Sequence, residues 1–230
     1  MQIIDSGLGN GFQDLAEGWR RKFGVGLRLA ALLLGLLGLV WTNNAYSASK
    51  SILVLGDSLS AEYGLARGSG WVSLLQQRLK TENLGGSVVN ASISGETSSG
   101  GKTRLPALLL QRPDIVIIEL GANDALRGLQ LNATESNLRA MISAAQQAKA
   151  KVLLVGMRIP PNYGRDHTEK FFALFPMLAK QAKVPLVPFL LDGVADKPDM
   201  FQADRMHPVA QAHPIILNNV WPELKPLLAK

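Results

Sequence analysis

Three side chains in this sequence, a serine, a histidine and an aspartate, have the types and spacing for acyl transfer. Ser58 lies in "ILVLGDSLS", where an apolar run gives way abruptly to Gly, Asp and Ser. His207 lies in "DRMHP", three residues after Asp204, and a turn at that spacing lets the carboxylate reach the imidazole Nδ1 proton. The imidazole Nε2 is then free to accept the serine proton. The pattern predicts that Ser58 is a nucleophile, with helix capping by this serine as the alternative.

Two further residues could donate hydrogen bonds to a developing oxyanion. Gly95, in "NASISGETSSG", has no side chain to keep its backbone N–H away from a ligand. Asn123, in "ELGAND", carries an amide that can donate in the same way. Both residues follow apolar strand candidates, and the carboxyl ends of parallel strands meet at one edge of a sheet. We therefore predict an oxyanion hole formed by the Ser58 and Gly95 backbone N–H groups and the Asn123 side chain.

Strand and helix patterns alternate along the chain after residue 50. This alternation, with right-handed crossovers, predicts an α/β fold in the form of a three-layer α/β/α sandwich around a parallel sheet. The predicted strands are Ile52–Leu55, Ser87–Ala91, Ile115–Leu120, Val152–Val155 and Pro185–Phe189. The predicted helices are Trp71–Lys80, Thr134–Ala150, Glu169–Lys183 and about Pro208–Leu228, the last with breaks near Pro214 and Pro222.

The first 47 residues have the pattern of a secretory signal peptide. A basic segment precedes the apolar run 29–41, which is shorter than the roughly 20 residues that a membrane span requires. We expect cleavage after Ser47, with cleavage after Ala48 as the alternative site, export to the periplasm or the medium, and a single domain over residues 48–230. An uncleaved membrane anchor is the alternative, because tilt and flanking residues can accommodate a short span.

Composition excludes some functions and leaves others open. The net charge is +6, but the basic residues after the leader are scattered, so the sequence gives little support to nucleic-acid binding. The chain has no cysteine, which excludes zinc sites built from thiolates. Anionic substrates and transient contact with a membrane surface are compatible with the mild positive charge. The oligomeric state is not predicted.

The chain resembles the GDSL, or SGNH, hydrolase family, which is named for a catalytic Ser, an oxyanion Gly and Asn, and a catalytic His. The corresponding residues are Ser58 in "GDSLS", Gly95 in "ISGET", Asn123 in "GAND" and His207 in "DRMHP". The resemblance covers Ser51 to Leu228 and is greatest to the bacterial periplasmic thioesterase I, arylesterase and lysophospholipase group. The shared motifs are "LGDSLSAEYGL", "VVNASISGETSSGG", "RLPALL", "ELGANDALRG" and "PPNYG".

The resemblance implies a flavodoxin-like, five-stranded parallel sheet with strand order 2-1-3-4-5. It also implies hydrolysis of small acyl esters, acyl thioesters or lysophospholipids with no metal and no organic cofactor. "LGDSL" lacks the second glycine of G-x-S-x-G, which excludes the nucleophile elbow of the α/β-hydrolases. Arg205 and Met206 depart from the family, which usually has a glycine and a branched aliphatic residue there. Arg205 either adds charge at the rim of the site or is simply solvated.

The substrate is less sharply defined than the chemistry. Two loops after predicted strands carry apolar side chains that either form one wall of an acyl groove or close the core. These side chains are Leu126, Leu129, Ile159 and Tyr163. A carbohydrate acetyl esterase of the same family is one alternative function. A non-catalytic envelope binding protein on the same scaffold is another.

Four polar residues near these motifs are assigned structural roles. Asp57 and Asp124 are expected to order their loops by accepting hydrogen bonds from nearby backbone N–H groups. His167 and His213 are expected to be surface or packing residues.

Overall fold

The structure is a computed structural model that describes residues 50–229. The predicted signal peptide therefore lies outside the described residues. The strands are β1 (Ser51–Gly56), β2 (Ser87–Asn90), β3 (Ile115–Glu119), β4 (Lys151–Val155) and β5 (Leu186–Val187). The helices are α1 (Trp71–Thr81), α2 (Ser98–Leu109), α3 (Ala122–Leu126), α4 (Leu131–Gln147), α5 (Arg165–Ala182) and α6 (His213–Leu228), with 3₁₀ turns at Pro161–Tyr163, Pro198–Met200 and Ala210–Ala212.

The strands form one parallel sheet in the order β2-β1-β3-β4-β5, which confirms the predicted fold and strand order. Every residue of β3 is buried, as expected for a central strand that is covered on both faces. β1 pairs with β3 so that Gly56, at the end of β1, lies opposite Glu119, at the end of β3. This register brings the loops after β1 and β3 together at the carboxyl edge of the sheet.

Each face of the sheet has its own hydrophobic core. In β1, Ile52 and Val54 point to one face and pack in the cluster that includes side chains of α1 and α6. Leu53 and Leu55 point to the other face and pack with side chains of α2, α4 and α5. The period-two alternation of a fully apolar strand thus builds the three layers of the sandwich.

Some element boundaries differ from those predicted. β5 has two residues instead of five, because Pro185 and Pro188 flank it and cannot donate to a ladder. α6 begins at His213 and not at Pro208. The predicted break near Pro222 is wrong, since the helix runs unbroken from His213 to Leu228, whereas close to Pro214 the 3₁₀ turn Ala210–Ala212 gives way to α6. Pro214 lies in the first turn, where a missing N–H has no intrahelical partner to lose.

Helix α2 was not predicted, because it contains Gly100, Gly101 and Pro106, which disfavour helix interiors. Its start is stabilised by Thr97, whose side chain accepts a hydrogen bond from the Gly100 N–H at 3.2 Å. A side chain at Gly101 would overlap Leu120, so this glycine lets α2 approach the end of β3 closely. Among residues 50–229, no helix has the length and apolarity to cross a membrane.

Candidate active site

The nucleophile candidate lies in a turn directly after β1. Ser58 is partly buried, and the first helix after it begins only at Trp71. The alternative role of Ser58 as a helix cap is therefore wrong. The N–H groups of Ser60 and Ala61 donate to the Asp57 carbonyl at 3.2 and 3.0 Å and close the turn. The turn thus holds Ser58 at the carboxyl edge of the sheet.

The serine, histidine and aspartate form a continuous hydrogen-bonded chain. His207 Nε2 is 2.9 Å from Ser58 Oγ, and His207 Nδ1 is 2.6 Å from Asp204 Oδ2. The other Asp204 oxygen accepts from the backbone N–H groups of Met206 and His207 at 2.9 and 3.0 Å. This arrangement favours the tautomer with the proton on Nδ1, so that Nε2 can act as a base toward Ser58.

Asp204 is held in its charged form by these contacts. The backbone N–H and then the imidazole of His207 are the main causes that lower the pKa of Asp204 to about 2. The Tyr63 ring lies on the imidazole of His207, with ring centroids 4.3 Å apart and an interplanar angle of 40°. The carboxylate therefore stays ionised at neutral pH, while Tyr63 limits the movement of the ring.

The two backbone N–H groups that were predicted as oxyanion donors have no acceptor in the described residues. Neither the Ser58 N–H nor the Gly95 N–H donates to any acceptor in residues 50–229. Gly95 has φ +76°, a left-handed conformation that favours glycine. Arg127 Nη2 donates to the Gly95 carbonyl at 2.8 Å and so fixes this part of the loop. Sequence reasoning did not find Arg127, although it follows "GANDAL" directly.

The amide of Asn123 is held by a buried carboxyl group. Asn123 is in the first turn of α3, and its Nδ2 donates to Asp57 Oδ2 at 3.0 Å. Asp57 Oδ1 accepts from the Leu59 N–H at 3.0 Å, as expected for a residue that orders its loop. Burial, opposed by these hydrogen bonds, raises the pKa of Asp57 from 3.8 to about 6.

A second buried carboxyl group, Glu119, lies next to Asp57 and was missed in the sequence. Glu119 Oε2 accepts from the Asp57 N–H at 3.2 Å and from Ser60 Oγ at 2.8 Å. Ser60 Oγ in turn accepts from Trp71 Nε1 at 3.2 Å. Burial, and then the nearby charge of Asp57, raise the pKa of Glu119 well above its usual range. A glutamate that ends the apolar strand "IVIIE" was the available signal.

The remaining polar candidates have structural positions. Asp124 is buried and accepts from the N–H of Ser98 at 2.8 Å and from its hydroxyl at 2.5 Å, which ties α3 to the start of α2. His213 is buried, and its Nδ1 accepts from the Trp71 N–H at 3.0 Å, a capping bond for α1. Burial lowers the pKa of His213. His167 Nε2 lies 3.1 Å from the Ala125 carbonyl.

The four predicted groove residues divide into two pairs. Ile159 is only 7% exposed and belongs to the core on the α4 and α5 face, against which Leu126 also packs. Leu129 and Tyr163 are 44% and 41% exposed. Only the second pair therefore offers substantial apolar surface to a ligand.

Neither a metal centre nor the main cavity of the described residues coincides with the proposed catalytic residues. Residues 50–229 contain no group of three or more His, Cys, Asp or Glu side chains arranged to hold a metal ion. A cavity of about 460 Å³ follows β4 and β5, and the Arg158 guanidinium lies there over the Phe172 ring at 3.8 Å. None of the serine, histidine and oxyanion candidates lines this cavity.

The parallel three-layer fold, with a Ser–His–Asp chain at its carboxyl edge, defines the class as an α/β serine hydrolase without a nucleophile elbow. The model of the GDSL-like lipase/acylhydrolase family matches residues 54–215. The chain belongs to this family, and the predicted resemblance is confirmed. It is therefore a hydrolase of the GDSL type.

Named relatives agree with this assignment. Esterase TesA of Pseudomonas aeruginosa is 50% identical over 200 residues, covering 86% of this chain and 99% of that protein. Thioesterase 1/protease 1/lysophospholipase L1 of Escherichia coli K12 is 44% identical over 196 residues, covering 85% and 93%. A crystal structure of TesA aligns with a TM-score of 0.76 and 51% identity, covering 77% of this chain and 99% of that one.

Proposed function

We propose that this protein hydrolyses small carboxylic esters and acyl thioesters through a covalent acyl-enzyme on Ser58. The observation that carries the proposal is the 2.9 Å contact between Ser58 Oγ and His207 Nε2, continued to Asp204 at 2.6 Å. A hydroxyl needs such a base to become nucleophilic at neutral pH. The names esterase and thioesterase among the relatives support the same substrate classes.

In the first half-reaction, Ser58 Oγ attacks the carbonyl carbon while its proton moves to His207 Nε2. The tetrahedral intermediate collapses as the bond to the leaving group breaks, and the imidazolium returns the proton to the leaving thiolate or alkoxide. In the second half-reaction, water attacks the acyl carbonyl carbon while its proton moves to His207 Nε2. The second tetrahedral intermediate collapses with cleavage of the bond to Ser58 Oγ, the imidazolium returns the proton to that oxygen, and the carboxylic acid leaves. The charge of Asp204 stabilises the imidazolium in both halves.

The oxyanion is bound by three donors in this mechanism. They are the backbone N–H groups of Ser58 and Gly95, which have no other acceptor in the described chain, and the second N–H of the Asn123 amide. One such donor contributes roughly 2.7–4 kcal/mol to transition-state stabilisation. The set thus accounts for a large part of the rate acceleration.

The acyl group is proposed to extend over the exposed side chains of Leu129 and Tyr163. Because Leu126 and Ile159 are held in the core, their contribution to such a groove is indirect. An open apolar surface favours single acyl chains, such as those of acyl thioesters or lysophospholipids. The two alternatives, a carbohydrate acetyl esterase and a non-catalytic binding protein, gain no support from the names of the relatives that are 44% and 50% identical.

Contact with a lipid surface is proposed as well. Five exposed apolar side chains are carried by the loops at the carboxyl edge: Tyr63, Ile93, Leu129, Tyr163 and Met206. We expect the protein to bind phosphatidylglycerol vesicles. The double variant Ile93→Ser with Leu129→Ser should bind them more weakly. The matched control is Leu110→Ser, an 82% exposed leucine at the opposite edge of the sheet. Equal binding by both variants would contradict this surface.

The location of the protein is proposed from the leader alone. The basic segment and apolar run of residues 1–47 support export. Fractionation of cells that express the full chain tests this, and recovery with the cytoplasmic fraction would contradict it.

The catalytic proposal is tested by labelling with a fluorophosphonate and by three substrates: p-nitrophenyl acetate, p-nitrophenyl octanoate and a palmitoyl thioester. We expect Ser58→Ala to abolish labelling and turnover. Ser94→Ala, at an exposed serine beside Gly95, is the control and should retain both. Labelling that persists in Ser58→Ala would overturn the mechanism, and turnover restricted to the acetate would favour the sugar esterase.

A further inference from the structure

Two buried carboxyl groups behind the nucleophile have no part in the mechanism above. Asp57 is 1% exposed and Glu119 is 2% exposed, and they lie next to each other at the ends of β1 and β3. Burial of carboxyl groups is unfavourable unless hydrogen bonds or opposite charges compensate for the lost hydration. The contacts of Asp57 lead directly to the oxyanion donors.

Each oxygen of Asp57 has one defined partner. Oδ1 accepts from the N–H of Leu59, the residue that follows the nucleophile. Oδ2 accepts from Asn123 Nδ2, 3.0 Å away on the neighbouring loop. The carboxyl group therefore connects the turn that carries Ser58 with the side chain that carries the third oxyanion donor.

An asparagine side chain can rotate to exchange its oxygen and its nitrogen, and only the nitrogen can donate. An ionised carboxylate accepts hydrogen bonds and cannot donate them. A carboxylate opposite the Asn123 amide therefore admits the nitrogen and repels the oxygen. One amide hydrogen is bound to Asp57, and the other is left for the oxyanion.

The backbone of Asp57 is itself held in place. Its N–H donates to Glu119 Oε2, which also accepts from Ser60 Oγ. The Trp71 indole donates to the same Ser60 oxygen. These buried bonds leave Asp57 little freedom to turn away from Asn123, which suits a group whose role is to orient another.

We propose that Asp57 is a positioning residue, whose carboxylate holds the Asn123 amide with its nitrogen toward the oxyanion. This inference rests on the proposed function, because it assumes that Asn123 donates to the reacting carbonyl oxygen. Asp57 does not touch the substrate, and it acts on the reaction only through Asn123.

The test is a double-mutant cycle on kcat and KM for p-nitrophenyl octanoate at pH 8. In Asp57→Asn, an NH₂ group faces the Asn123 NH₂ group, or the amide rotates and loses its bond to Leu59. We expect kcat to fall about 10- to 100-fold with KM little changed. Asn123→Ala alone is expected to lower kcat by about 10²- to 10³-fold.

The decisive measurement is the double variant. If Asp57 acts through Asn123, adding Asp57→Asn to Asn123→Ala changes kcat less than about twofold. If the reduction in kcat of the double variant equals the product of the reductions in the two single variants, the proposal is overturned. Asp57 would then act through another group, such as His207. The matched control is Glu119→Gln, which keeps an acceptor for the Asp57 N–H and should stay within about threefold of wild type.

Folding and the catalytic proposal are tested separately. Circular dichroism and thermal unfolding show whether each variant is native. If Asp57→Asn does not fold, the cycle is run with Asp57→Ser, which removes the carboxylate without setting an amide opposite Asn123. Activity that survives in Ser58→Ala would defeat the proposed function itself. If Ser58→Ala is inactive but the effects of Asp57→Asn and Asn123→Ala on kcat multiply, only the proposed role of Asp57 is wrong.

Discussion

The buried pair of Asp57 and Glu119 predicts a pH dependence of stability that two conservative substitutions should remove. Both side chains are almost fully buried, and burial raises the pKa of each. The double variant Asp57→Asn with Glu119→Gln replaces both carboxyl groups by amides of nearly the same size. It leaves the packing similar while no titratable group remains at these positions.

The direction in which the free energy of unfolding changes with pH follows from the number of protons that each state binds. An acid whose pKa is higher in the folded state binds more protons when folded, so the free energy of unfolding falls as pH rises between the two pKa values. For Asp57 these values are 3.8 and about 6, which corresponds to roughly 3 kcal/mol over the full window. Between pH 5 and pH 8 the share of Asp57 is about 1.4 kcal/mol, and Glu119 acts in the same direction.

Urea unfolding of wild type and double variant at pH 5, 6, 7 and 8 measures this difference. The stability of the variant relative to wild type should rise by at least about 1.4 kcal/mol from pH 5 to pH 8. His213, whose lowered pKa acts in the opposite direction, is present in both proteins and cancels. The control variant is Asp166→Asn, which replaces an exposed carboxylate on α5. A difference that does not change with pH would refute the reasoning.

Three further substitutions test individual features of the site. Asp204→Asn should lower kcat by about 10²- to 10⁴-fold because the amide no longer fixes the His207 tautomer, and a loss below tenfold in an octanoate ester assay would contradict this. Arg205→Gly should raise the free energy of unfolding by about 1 kcal/mol, because Arg205 has a left-handed backbone conformation with φ +55°. If urea unfolding shows no increase, the backbone at Arg205 is not strained. Gly95→Ala should lower kcat by at least about tenfold, because a Cβ at φ +76° would lie 3.3 Å from Arg127 Nη2 and displace the Gly95 N–H. An unchanged kcat would show that Gly95 is not part of the oxyanion hole.

The residues proposed for catalysis could be found in the sequence because each follows a strand or lies in a short motif. Parallel strands bring their carboxyl ends to one edge, so the loops that carry Ser58, Gly95 and Asn123 lie at the same edge although they are distant in sequence. The spacing of Asp204 and His207 is local, and a turn is enough to form their bond. The topology and these short motifs together account for the part of the site that was predicted.

The part that was not predicted depends on register and close packing. The pairing of Gly56 with Glu119 decides that this glutamate lies beside Asp57, and neither residue type reveals the register. Helix α2 forms despite Gly100, Gly101 and Pro106, because Thr97 caps it and Gly101 allows close contact with Leu120. Tertiary packing outweighs local helix propensity there.

The ionised carboxylate of Asp57 is proposed to have opposite effects on stability and on activity. Above pH 6 its carboxyl group is charged and buried, which lowers the free energy of unfolding, while that same charge orients Asn123. An amide at this position should therefore give a protein whose stability relative to wild type rises from pH 5 to pH 8 and whose kcat is lower. Such an opposition is expected where a buried charge serves the reaction, and it is not expected where a carboxyl group only orders a loop. Measuring both quantities on Asp57→Asn separates these two roles.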